Sequence, residues 1–430
     1  MLHRKAIPTR NLATKTPVNV WSRAFNTNVL WLGLVSCLAD ISSEMVYPLL
    51  PMFLAGLSTV QMAAIYVGIM DGTADMTSGL LKLLSGRWSD KTGRRKGWAI
   101  WGYTWSCLAR SMMAAARSGW FVILMRVLDR IGKGLRTSPR DALLAGSVQQ
   151  DVRALAFSFH RMMDHAGALT GPLLALGTIY MLAGSSGLWI VHSPAQPSTM
   201  VALRWVFALS VVPGLMAGIG LWLKVTETTV TSPPTDRLGL FQDGPVSVPR
   251  RFYLFLVAIA LFALGNSSDL FLVLYAQDRL GLGPGWVVIL WSVLHVSKIA
   301  WSLPGGRVAD MFGRSRAILG GWLIYILVYV AMPFADGLLQ VLALLCIYGS
   351  YYGLTEGAER ALVADMADAK VRGWAYGLYH AVIAAAALPA SLIFGLLFAK
   401  FGARAAFTTG AGLAACGTLV LLPLALRPTR

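Results

Sequence analysis

The segment GRWSDKTGRRK, Gly86 to Lys96, returns later in the chain as GRVADMFGRSR, Gly306 to Arg316, an offset of 306 − 86 = 220. In each copy a glycine opens the segment, an aspartate follows four positions on, and a glycine–arginine pair closes it. Each copy lies between two long apolar runs. Glycine is the residue a tight turn needs where the backbone turns left-handed. A second match keeps almost the same distance: GLRTSPRDALLA from Gly134 resembles GLTEGAERALVA from Gly353, with 353 − 134 = 219. Two separate matches at nearly one offset mark an internal duplication, the plan of many membrane transporters.

The composition agrees. Of the 430 residues, 56% are hydrophobic and 13% charged, about half the charged share of a soluble domain. Apolar runs fall near 28–57, 61–85, 98–117, 119–145, 154–184, 203–225, 250–280, 284–304, 317–335, 338–365, 371–400 and 403–427. Each is near the roughly 20 residues a bilayer core demands. The fold class expected is an all-α integral membrane protein of about twelve transmembrane helices. A β-barrel would alternate at period two, and these runs do not.

The net charge of +17 would suggest nucleic acid in a soluble protein. Here Lys91, Arg94, Arg95 and Lys96 share one loop, Arg250 and Arg251 another, and Arg314 and Arg316 a third. The loops between them hold few Lys or Arg. That asymmetry is the positive-inside pattern, so no nucleic acid is needed to explain it. It makes the basic loops cytoplasmic, and an even number of helices then places both termini there. Residues 1–27 are basic without an apolar core and read as a cytoplasmic tail rather than a signal peptide. Residues 28–225 and 250–427 read as two six-helix halves. The proline-rich 226–249 reads as a cytoplasmic linker. Cys37, Cys107, Cys346 and Cys416 are far apart and form no CxxC pair, so neither disulfides nor a metal site are expected.

The motifs resemble those of the major facilitator superfamily over essentially the whole chain. Gly86, Asp90, Gly93 and Arg94 match that family's loop motif, and Gly306, Asp310, Gly313 and Arg314 repeat it. RVLDRIGKGL resembles the fourth-helix motif, with Arg126, Gly132 and Gly134 in place and Asp129, Arg130 and Lys133 as charged departures. GALTGP, with Gly167, Gly171 and Pro172, resembles the fifth-helix element of proton-driven exporters. The charged form DRxGKGxRxxPRDA resembles a bacterial branch of the superfamily. The resemblance implies a secondary transporter in the bacterial inner membrane, with the first, fourth, seventh and tenth helices around a central cavity. It also implies that the loop arginine meets an aspartate at the end of the fourth helix. Asp365 holds that place in the second half, and Gly146 stands opposite it in the first, since 365 − 219 = 146.

Charge inside a bilayer is costly unless paired or wet, so intramembrane charges are functional candidates. Asp40 and Glu44 stand four apart on the first helix, Asp71 and Asp75 four apart on the second. With Asp164 and His165 they are the candidates for proton coupling, because a carboxylate that moves between desolvated and cation-rich surroundings takes up and releases a proton. Arg136, Arg161, Asp269, Lys298, Tyr352, Glu356 and His380 are the candidates for the substrate cavity. Asp129, Lys133, Arg136 and Arg140 are spaced by three or four and are expected on one broad face of the fourth helix. The embedded cations hint at an anionic or zwitterionic solute. Asp90 is expected to cap a helix N-terminus from the other half.

The reading is proton-coupled export of a small organic solute by alternating access, by a monomer with no cofactor or metal and no enzymatic activity. The nearest alternative is a proton-coupled importer of an organic anion or metal chelate. A receptor on the same fold would be expected to carry a signalling domain, whereas Leu426 is followed only by RPTR. A membrane enzyme would need more acidic positions than the DGTAD at Asp71 supplies, or an HExxH motif.

Overall fold

The computed structural model describes residues 20–58, 60–184, 197–228, 248–266, 269–280 and 284–426. Most of the expected N-terminal tail and of the expected linker, 1–19 and 229–247, lies outside the described residues.

Every regular element among the described residues is helical. In chain order these are α1 (Val20–Ala24), α2 (Thr27–Glu44), α3 (Leu50–Leu57), α4 (Val60–Thr92), α5 (Arg95–Met112), α6 (Gly119–Gly146), α7 (Arg153–Ala183), α8 (Pro197–Leu209) and α9 (Val211–Lys224). They continue as α10 (Arg250–Gly265), α11 (Leu270–Leu280), α12 (Pro284–Phe312), α13 (Arg314–Ala331), α14 (Leu338–Met366) and α15 (Arg372–Leu426). The last is two helices joined at Gly402, where φ is 80°.

Seven helical stretches among the described residues are long and apolar enough to cross a membrane: Thr27–Leu49, Gln150–Ala183, Thr199–Lys224, Arg314–Phe334, Leu338–Met366, Arg372–Phe398 and Lys400–Leu426. The charged α6 is not among them, yet most of its charged side chains are buried.

Several apolar runs are broken in ways that composition does not display. The first run stops as α2 at Glu44, passes through a 3-10 turn at Tyr47–Leu49 and restarts as α3. Pro48 and Pro51 remove backbone donors there. Ser210 separates α8 from α9. Its hydroxyl donates to the Phe207 carbonyl, and its own carbonyl accepts from Ser42 Oγ at 2.6 Å. By contrast α6 and α7 run unbroken through Pro139 and Pro172.

The helices are apolar outside and small or polar inside. On α5, Trp101, Trp105, Leu108 and Met112 are exposed. They recur at four, three and four residues, one face of a helix. The buried face of the same helix holds Ala99, Gly102, Tyr103, Ser106 and Arg110. Lipid is as apolar as leucine, so burial of large side chains does not draw such helices together. Close backbone approach through small residues does. Accordingly a methyl group at Gly102 would lie 2.6 Å from the Gly132 carbonyl of α6, and one at Gly373 of α15 would lie 2.6 Å from the Gly86 carbonyl of α4. Gly167 and Gly171 of α7 press in the same way on the α2 backbone, 2.5 Å from Cys37 O and 2.8 Å from Ile41 O by the same measure.

Candidate functional site

Three groups of polar residues fill the spaces between the helices. The first lies at the end of the molecule that carries the two loop motifs. Gly93 and Gly313 have φ of 65° and 98°, the left-handed region that favours glycine. Each lets a long helix end and the next begin at once. Asp90, near the end of α4, accepts a hydrogen bond from the Trp374 backbone N–H at 2.8 Å. Trp374 stands in the first turn of α15, so Asp90 caps that helix. The second copy does the same elsewhere. Asp310 accepts from the Ala154 and Leu155 backbone N–H groups at 3.1 and 2.8 Å, in the first turn of α7.

The arginines of the two copies act differently. Arg314 bonds both Asp310 and Asp365, and Asp365 also holds Arg153. In the first copy Arg94 is exposed, and buried Arg95 takes the inward position. Arg95 Nη2 bonds Asp90 Oδ1 at 2.8 Å and the Ala369 carbonyl at 2.6 Å. Gly146, opposite Asp365 in the repeat, packs on Thr228 instead.

The second group is a polar seam across the interior. Arg140 pairs with Asp141 at 2.8 Å, and its other terminal nitrogen reaches Ser36 Oγ of α2 at 3.4 Å. Asp141 Oδ2 stands 2.8 Å from His380 Nε2 of α15 and 3.9 Å from Arg360 Nε of α14. Arg360 donates to the Glu356 carbonyl at 2.6 Å, and Glu356 Oε2 stands 2.9 Å from His165 Nε2 of α7. The His165 ring lies 5.8 Å from that of His295 and 6.2 Å from that of Tyr352. Asp269 closes the seam. It takes Lys298 Nζ at 2.7 Å, Tyr348 Oη at 3.0 Å and Tyr352 Oη at 2.9 Å. Arg161 pairs with Asp164 beside the seam. Glu359 stands apart, bonded to Tyr379 Oη at 2.6 Å and Trp322 Nε1 at 3.4 Å with no cation in contact among the described residues.

The third group is the charge on α6, and its expected single face is divided. Asp129 turns to α5. It meets Arg110 at 2.8 Å and Arg126 at 3.1 Å, and accepts from Ser106 Oγ. That cluster is shut away from solvent. Arg136 carries its guanidinium 4.4 Å from the Tyr103 ring centre. Among the described residues Arg136 pairs with no carboxylate. On α2, Asp40 and Glu44 are half-buried, and neither carboxylate makes an ion pair or hydrogen bond among the described residues. Gly132 packs on α5 and Gly134 on α4. The side chains of Asp71 and Asp75 lie outside the described residues.

The structure thus brings Asp164, His165, Arg161, Asp269, Lys298, Tyr352, Glu356 and His380 into or beside one seam, and leaves Asp40, Glu44 and Arg136 in a separate group between α2 and α6. Sequence reading passed over Arg110, Arg153 and Tyr348, and placed Arg95 only among the basic residues of its loop. An arginine at position 110, deep inside an apolar run, was the available signal for one of them.

A helical bundle with two copies of one capping loop and ion pairs in its interior is the build of a membrane carrier. The chain belongs to the Major Facilitator Superfamily, whose family model matches residues 32–382 and 285–430. It is 30% identical over 405 residues to the MFS-type transporter MJ1317 of Methanocaldococcus jannaschii, covering 93% of this chain and 95% of that one. It is 27% identical over 315 residues to the multidrug resistance protein MdtH of Cronobacter sakazakii, 72% of each chain. In fold it is similar to the human organic anion transporter MFSD10, with a TM-score of 0.77, 16% identity, and coverage of 92% of this chain and 99% of that one. Secondary transport across a membrane is the activity this family membership supports, and members of the family are generally non-enzymatic carriers.

Proposed function

We propose that the protein exports a small organic solute in exchange for protons by alternating access. In this reading twelve helices form two six-helix halves, 28–225 and 250–427, joined by a cytoplasmic linker over 226–249. Both termini, including the tail over 1–27, lie in the cytoplasm of a bacterial cell, and a monomer in the inner membrane is the working unit. The charged fourth-helix motif marks its branch of the family.

The observation that carries this reading is the pairing of His165 with Glu356, 2.9 Å apart and from different halves. A carrier that rocks must make and break contacts between its halves. An intramembrane His–carboxylate pair is one whose strength follows its protonation. The caps at Asp90 and Asp310 support reading this conformation as closed at the motif end. Asp40, Glu44, Asp71, Asp75, Asp164 and His165 are the groups through which protons are coupled. The substrate cavity is lined by Arg136, Arg161, Asp269, Lys298, Tyr352, Glu356 and His380. Export, rather than import, is supported by the GALTGP element, whose Gly167 and Gly171 seat α7 on α2 beside Asp40 and Glu44, and by the drug-resistance name of the MdtH relative.

Mass spectrometry of cells and spent medium, with the gene deleted or overexpressed, tests the direction. A compound retained inside on deletion and enriched outside on overexpression supports export. A compound left behind in the medium on deletion makes the protein an importer. Everted vesicles loaded with that compound then test whether a pH gradient drives it.

A further inference from the structure

Interior cations in this protein are paired almost everywhere: Arg110 and Arg126 with Asp129, Arg140 with Asp141, Lys298 with Asp269. Three cations near the middle of α6 break the rule. Arg130, Lys133 and Arg136 make no hydrogen bond or ion pair among the described residues, and none is exposed. The Nε atoms of Arg130 and Arg136 are buried without a partner. The three stand at successive i,i+3 positions, where like charges repel. Lys133 lies within electrostatic reach of both arginines. Arg136 is buried and Arg130 and Lys133 are half-buried, and a buried charge without a partner is strongly destabilising, so an anion bound here would be stabilised.

The wall opposite is α2. Asp40 lies within electrostatic reach of Lys133 and Arg136, and Glu44 of Arg130 and Lys133, without touching any of them. Gly167 and Gly171 hold the backbone of α2 in place at those two residues. Tyr103 holds the Arg136 guanidinium from the other side. Lys82 of α4 also lies within electrostatic reach of Lys133, so among the described residues the cations between these helices outnumber the two carboxylates of α2.

We propose that the region between α2 and α6 is a binding subsite for an organic anion, a carboxylate, gripped by Arg130, Lys133 and Arg136. The proposal rests on the transporter reading and names the solute class for it. Guanidinium forks match a carboxylate in two parallel hydrogen bonds. Asp40 and Glu44 offset part of this charge, and a cation is repelled by α6.

The test uses the full-length protein in nanodiscs and four probes that share one ring: benzoate, phenyl phosphate, benzyl alcohol and benzyltrimethylammonium. Calorimetric titration reads binding. Benzoate is expected to bind most tightly. The double variant Arg130→Gln/Lys133→Gln is expected to weaken benzoate by tenfold or more, about 1.4 kcal/mol per decade, and Arg130→Lys to keep most of the affinity. The ligand-free double variant is expected to melt at a higher temperature than the native protein, because repulsion is relieved. A purely structural role for the two cations would lower that temperature. Equal binding of benzyl alcohol or the ammonium, unchanged benzoate affinity in the double variant, or no benzoate binding well above about 1 mM would each overturn the subsite. Flux of the same probes through proteoliposomes is measured separately. Benzoate that binds as described without crossing leaves the subsite standing and sinks the transporter reading.

Discussion

His165 Nε2 and Glu356 Oε2 meet at 2.9 Å although 191 residues separate them in the chain. The contact joins α7 to α14, and it lies in a seam whose next members are Arg360, Asp141 and His380. No element-level packing requires a polar contact there. Helices of this family close on each other through glycine and alanine, as Gly306 and Gly357 do on α7 at Ser158.

Replacing Glu356 by Gln keeps the volume and removes the charge. Transport in proteoliposomes is expected to lose most of its dependence on pH while exchange at equal pH on both sides persists. Flux measured from pH 5.5 to 8.5 checks this. A pH profile parallel to that of the native protein would remove the pair from the coupling mechanism.

Asp40→Asn addresses the other candidate group. Proton-driven movement of the solute is expected to stop, while exchange at equal pH on both sides remains measurable. If Asp40 carries no proton, gradient-driven flux in this variant equals that of the native protein.

Asp129 has a different expected phenotype. It is enclosed by Arg110, Arg126 and Ser106, so Asp129→Asn leaves two buried guanidinium groups without their carboxylate. Loss of one partner of a buried ion pair costs about 3–5 kcal/mol. The melting temperature in detergent is expected to fall by several degrees or more, while whatever protein remains folded keeps the solute preference of the native chain.

Asp90→Ala and Asp310→Ala each remove a helix cap, worth about 0.5–2 kcal/mol. Ser158 is buried behind the motif end against Gly306 and Gly357. In a background without the four native cysteines, Ser158→Cys is expected to react slowly with a maleimide added from the motif side. Either alanine variant should speed that reaction, and both together should speed it by roughly the product of the two factors. Unchanged labelling would mean that the caps do not hold this end shut.

Gly167→Leu is expected to push α7 off α2, since even a methyl group would lie 2.5 Å from Cys37 O and 2.9 Å from Asp40 Cβ. Overpacking of this kind costs about 1–3 kcal/mol or more. Reduced yield and a lower melting temperature are the readouts, with Gly177→Leu, which has open space around it, as the control.

The duplicated loop made the fold class and the capping role of its aspartates legible from the chain, because glycine spacing and helix polarity are local properties. Partner choice was not legible. Arg94 and Arg95 are neighbours of one kind, and only the path of α5 decides that Arg95 turns inward. Asp129 looked like a cavity residue on the pattern of α6. Its partner Arg110 sits nineteen residues earlier on a separate helix, and no period on α6 reports that. His380 and Asp141 are 239 residues apart, beyond any spacing rule. The absence of partners for Arg130 and Lys133 among the described residues is likewise a property of everything around them.

The two capping aspartates also put a ceiling on how firmly this molecule can stay shut. Each bond between a carboxylate and a helix start is worth only a kcal/mol or two, and every 1.36 kcal/mol added to such a barrier slows opening about tenfold. A gate built from a few of these yields readily. A gate built from a packed apolar plug of the same size would seal better and turn over far more slowly. In the export reading proposed above, the pace of the carrier would be limited at Asp90 and Asp310, at the rim of the protein and away from the groups proposed to hold the solute.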